Sequence, residues 1–178
     1  MIRPLLAAAL LVPAMAVAKD RDEDFKSPKP SPTTQSCTGG QIWDSQSGSC
    51  VSAENGTIDD DTLYGAVREF AHAGQFENAQ RALAAMSVQD DDRVLTYWGF
   101  THRKLGDVDK GMGYYKRAIA KNPGNIAARS YMGQALVIEG DIVGAYQQLK
   151  AIRSHGGAGT WAEASLKSAI ETGQTYNY

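Results

Sequence analysis

Between Asp59 and Gly157 apolar residues return at helical spacing, and the same arrangement occurs three times. Gly74, Gly106 and Gly140 stand 32 and 34 residues apart. Two positions after each comes an apolar residue (Phe76, Val108, Ile142), and five after it a very small one (Ala79, Gly111, Ala145). Nine and twelve after it stand Leu83 and Met86, Tyr115 and Ala118, Leu149 and Ile152. Ahead of the glycine, the position four back holds Phe70, His102 and Leu136, seven back Val67, Gly99 and Gly133, and eight back Ala66, Trp98 and Met132. Each unit therefore predicts two antiparallel helices. The small residues belong where helices cross closely, the large ones fill the wedge, and the glycine closes the first helix in a left-handed conformation. Asp107 and Asp141, directly after their glycines, are placed to cap the second helix, and Asn122-Pro123 ends the middle pair because proline pushes its predecessor out of helical geometry.

The units span 60–91, 92–125 and 126–157 within a helical region of 59–157. A last helix over 158–174 opens on the capping box Thr160-x-x-Glu163. It should lay Trp161, Leu166 and Ile170 over the third unit and leave Lys167, Glu171 and Gln174 in water. The expected class is all-α, a solenoid of three helix pairs closed by a capping helix.

This pattern resembles the tetratricopeptide repeat. The second unit matches best, with Trp98-Gly99, Gly106-Asp107, Ala118 and Asn122-Pro123 where that family has them; Val67 in place of glycine and Arg129 in place of an apolar residue depart from it. The resemblance implies a right-handed α-solenoid whose first helices line a concave groove. It assigns to that groove Tyr64, Arg68 and His72, then Arg93, Phe100, Arg103 and Lys104, then Tyr131, Gln134 and Ile138. Arginine offers a rigid fork for carboxylates and the rings offer contact area at low entropic cost, so the expected partner is an extended, acidic or C-terminal peptide segment of another exported or envelope protein. The same charges would also serve as a solvated face. The Asn and Lys arrangement with which chaperone-adaptor members clamp a terminal carboxylate is absent, and that ligand does not carry over.

Upstream of the helices the composition changes twice. Residues 1–18 carry Arg3, an apolar run Leu5–Val12 too short for a stable span, and small residues at Ala16 and Ala18, which reads as a signal peptide cleaved after Ala18 and a periplasmic or secreted product. No later segment approaches a membrane span, so none is expected in the mature chain. Residues 19–36, with Pro28, Pro30 and Pro32 among charges, read as a disordered linker. Residues 37–58 form a loop that a Cys37–Cys50 disulfide, using the chain's two cysteines, would close in an oxidising compartment; about 3 kcal/mol is the chain-entropy expectation. The run C-x-x-G-x-x-W-D at 37–44 is similar to half of a peritrophin-type carbohydrate-binding module. That supports an alternative function, an envelope carbohydrate binder presenting Trp43 to a sugar, beside the plainer reading of Trp43 as the plug of its own loop.

Composition narrows the function further. The chain has 178 residues, 43% hydrophobic and 21% charged, with a net charge of -2, which lacks the basic excess of a nucleic-acid binder. No hydrolase, phosphate-loop or dinucleotide motif occurs, His72, His102 and His155 fall at different repeat positions, and the two cysteines lack zinc or redox spacing. The aspartate runs 59–61 and 90–92 read as helix N-terminal anions rather than calcium ligands. The expectation is a non-enzymatic binding or scaffolding module with no cofactor and no metal. Gly111 and Gly113 share one helix at roughly 1 kcal/mol each relative to alanine, which leaves open a homodimer through that helix.

Overall fold

The computed structural model describes residues 28–176; the expected signal peptide, spacer residues 19–27 and the last two residues of the tail lie outside the described part. The architecture is an all-α array. Three helix pairs follow one another, α2 (Asp60–His72) with α3 (Phe76–Ala85), α4 (Asp92–Lys104) with α5 (Val108–Lys121), and α6 (Ile126–Ile138) with α7 (Ile142–Ser154), and α8 (Trp161–Thr172) closes the end. Side chains of Asp59, Asp91, Asp107, Asn125, Asp141 and Thr160 accept backbone N–H groups in the first turn of α2, α4, α5, α6, α7 and α8. The aspartate runs thus supply caps. Gly74, Gly106 and Gly140 turn the chain between partners at φ of 75°, 94° and 82°.

Within the array α2 touches α4, α4 touches α6, and α6 touches α8, while α3, α5 and α7 make no comparable contacts with one another. Four helices therefore share an inner layer and three stand outside it, so the layer curves inward. The small-residue column serves two different crossings. A Cβ on Gly99 would stand 2.6 Å from the Tyr115 ring, and one on Gly111 would stand 2.8 Å from the Gly99 carbonyl oxygen, so glycine is required where α4 crosses α5. At Gly133 the obstacle is instead Leu166 of α8, 2.6 Å away, so this glycine admits the capping helix. Leu166 is wholly buried there and Lys167 and Glu171 face water.

The N-terminal region differs from the expected spacer and bare loop. Residues Pro32–Gln35 form one helical turn, α1, with Ser31 as its cap and Pro32 in its first turn. Glu69 of α2, itself buried, accepts from Ser31 N (2.8 Å), Ser31 Oγ (2.7 Å), Thr34 N (3.2 Å) and Thr34 Oγ1. A buried carboxylate needs such donors, and supplying them holds residues 31–34, within the stretch expected as linker, against α2. Beyond it, β1 (Ile42–Asp44) and β2 (Ser49–Val51) pair antiparallel with Trp43 opposite Cys50, and Cys50 is bonded to Cys37. The loop is fastened to the first pair. Ile42 is buried, and Arg81 of α3 donates to the Gly39 carbonyl oxygen at 2.8 Å and to Glu54 Oε1 at 3.1 Å.

Candidate peptide face of the inner helices

A row of rings crosses the inner layer. Tyr64 of α2 meets Tyr97 of α4 edge-on at 5.7 Å between centroids; Tyr97 meets Tyr131 of α6 at 6.4 Å; Tyr131 meets Trp161 of α8 at 5.8 Å. Phe100 packs on Tyr131 at 4.8 Å. These rings stand one repeat apart, and their edge-to-face and tilted contacts join the inner helices. Consequently Phe100, at 0% exposure, and the largely buried Tyr64 and Tyr131 belong to the core rather than to an open groove. Tyr97 and Trp161 were not among the expected residues. The signal for Tyr97 was present, since Tyr64, Tyr97 and Tyr131 recur at 33 and 34 positions.

Gln134 is also displaced from its expected role. Wholly buried, it donates to Ser130 Oγ at 3.3 Å and accepts the backbone N–H of Tyr176 at 2.8 Å, while the Tyr176 hydroxyl lies 2.7 Å from Ser168 Oγ. Tyr176, beyond the end of α8, is thereby pinned to α6 and α8. Ile138, at the end of α6, is exposed.

The basic residues form the polar part of the face. Arg93 lies half-buried with its guanidinium carbon 4.8 Å from the Tyr64 ring centre and its Nε 3.4 Å from Asp91 Oδ1. Arg68 and His72 follow on α2, both half-buried. Arg103 and Lys104 end α4, and both lie against Phe100, at 5.6 and 5.7 Å. Burial, reinforced by the Arg103 charge, lowers the Lys104 pKa to about 8. Burial likewise pushes the Tyr131 hydroxyl well above the ordinary tyrosine range, helped by Tyr97, and raises Tyr115. Both hydroxyls therefore stay protonated donors at neutral pH.

Arg68 borders a second feature. Between the hairpin and α2 lies a cavity of about 490 Å³ lined by Lys29, Thr33, Ile42, Trp43, Arg68 and Glu69, among others. Trp43, half-buried, forms part of its wall, and its backbone N–H donates to Thr33 Oγ1 at 3.0 Å. Among the described residues no group of three or more His, Cys, Asp or Glu side chains could hold a metal ion, and no helix is long and apolar enough to cross a membrane. No family model, curated protein or solved structure matches the chain.

Proposed function

We propose that this chain is a non-enzymatic interaction module of tetratricopeptide type, exported to the periplasm or beyond, that binds an extended acidic peptide segment of another exported protein along its inner helices. The observation that carries this reading is the distribution of charge: Arg68, Arg93, Arg103 and Lys104 come from two neighbouring inner helices and are interleaved with tyrosine rings. An extended acidic chain suits that pattern, because carboxylates pair with the guanidinium forks while the peptide backbone runs across the helices. An array of capped ten-residue peptides probed with the mature chain tests it. Acidic sequences should be retained, and Arg68→Glu with Arg93→Glu should abolish retention.

A second reading rests on the cavity beside Trp43, whose size and mixed polar and aromatic wall suit one or two sugar rings. Under that reading Trp43→Ala, and not the arginine pair, abolishes binding to envelope glycan.

A further inference from the structure

The chain turns back on itself after α8. Gly173, at φ 74°, closes the helix, Gln174 N–H donates to Thr172 Oγ1 at 3.2 Å, and the Tyr176 hydroxyl returns to within 2.7 Å of Ser168 Oγ. Residues 174–176 thereby lie against α6 and α8, two helices of the inner layer. The acceptor that meets them is set in advance. Gln134 Nε2 donates to Ser130 Oγ at 3.3 Å, and that hydroxyl lies 3.0 Å from Ser165 Oγ, which leaves Oε1 to take the Tyr176 backbone N–H at 2.8 Å. The hold on the segment itself is polar and slight: Tyr176 is 37% exposed and packs in neither apolar cluster. Two hydrogen bonds offset the ordering of three residues only narrowly, so the segment can leave at small cost. A side-chain amide fixing a passing backbone N–H, with a hydroxyl reading the side chain beside it, is how an extended peptide is held and selected.

We propose that the α6–α8 end of the inner layer is a subsite for an extended peptide segment bearing a tyrosine, occupied by the chain's own residues 174–176 and yielded to a partner segment of the same chemistry. The proposal rests on the reading of the inner helices as a peptide face and adds what that peptide carries at its α8 end. Gln134 Oε1 takes the tyrosine's backbone N–H, and Ser168 takes its hydroxyl. Because the chain's own segment competes for the same two groups, the apparent affinity for a partner is reduced to the fraction of molecules in which the subsite stands open.

The test compares the whole mature chain with the same chain ending at Gly173 and with full-length Tyr176→Gly, which opens the subsite without shortening the protein. The probes are the capped peptides Gln-Thr-Tyr-Asn-Tyr, Gln-Thr-Phe-Asn-Phe and hexaglutamate, followed by NMR. Both variants should bind the tyrosine peptide roughly fivefold or more tighter than the wild type. Loss of the hydroxyls should weaken the phenylalanine peptide by roughly threefold or more, and shifts should centre on the Gln134 side-chain amide and on Ser168. Gln134→Leu in the shortened chain should abolish the binding. Equal affinity of wild type and variants, or shifts away from α6 and α8, overturns the subsite. If both variants melt about 5 °C or more below wild type and neither binds the tyrosine peptide, residues 174–176 are packing elements and the subsite is likewise overturned. Hexaglutamate separates this proposal from the reading it deepens: hexaglutamate binding without tyrosine-peptide binding overturns the subsite and leaves the acidic peptide face standing, whereas the reverse upholds the subsite and removes the preference for acidic segments.

Discussion

Glu69 of α2 holds Ser31, 38 positions earlier in the chain, through both the backbone N–H and the hydroxyl, at 2.8 and 2.7 Å. The same carboxylate accepts from Thr34, so one buried acid on α2 holds both Ser31 and Thr34 in place. Glu69→Ala should therefore lose about 2 kcal/mol in denaturant unfolding, the scale of hydrogen bonds to a charged group. Hydrogen exchange should locate the loss: the amides of Ser31 and Thr34 become unprotected while those of α4 and α5 keep their protection. Unchanged exchange at both amides would contradict this.

Gly111 and Gly113 lie two positions apart on α5 and should respond in opposite directions to alanine. A Cβ at Gly113 meets nothing within 4 Å, so Gly113→Ala should gain about 1 kcal/mol from helix propensity. At Gly111 the new Cβ meets the Gly99 carbonyl oxygen at 2.8 Å and Arg103 Cβ at 3.1 Å, and overpacking outweighs the propensity gain, for a net loss of about 1 to 2 kcal/mol. Thermal unfolding of the two variants side by side checks the sign of each.

Lys104 links stability to pH. Its pKa is about 8 in the folded protein against an ordinary 10.5, so between these values the unfolded chain binds more protons than the folded one. Its contribution therefore makes the folded state more stable as pH rises through that window, and least stable below pH 8 where both states carry the charge. Lys104→Met removes the effect. Unfolding free energy measured from pH 7 to 10.5 should rise less steeply in the variant, and parallel curves would refute the assignment.

The disulfide closes a loop between positions separated by 13 in sequence, for which the chain-entropy expectation is about 3 kcal/mol. Cys37→Ser with Cys50→Ser should destabilise the first helix pair by that amount, because Ile42 and the Arg81 contacts to Gly39 and Glu54 attach the loop to it. Exchange rates in α2 and α3 should rise more than those in α7 and α8. A uniform change across the array would contradict the local attachment.

The helices were legible because their signals are local and repeated: the turn glycines, the aspartate caps, and the apolar columns at 3.6-residue spacing. The hairpin escaped because three-residue strands in a Gly- and Ser-rich loop carry too few alternations to register. The turn at Pro32–Gln35 escaped because its support comes from Glu69, far along the chain, and nothing in its own composition favours order. For the candidate face, Arg68, Arg93 and Lys104, which the resemblance assigns to the groove, lie half-buried on the inner helices. Phe100 and Gln134, which the resemblance assigns to the same groove, are buried, because Phe100 packs on Tyr131 and Gln134 holds the tail. A repeat column states which side a residue faces, not whether a neighbour already covers it.

The central claim is that an acidic peptide lies along α2, α4 and α6. The most direct test is an amide and side-chain NMR titration of the mature chain with capped hexaglutamate. The account predicts shifts confined to the inner helices, including Arg68, Arg93 and Arg103, with the Trp43 indole unmoved. Shifts centred on Trp43 and the hairpin, or none anywhere, would contradict it.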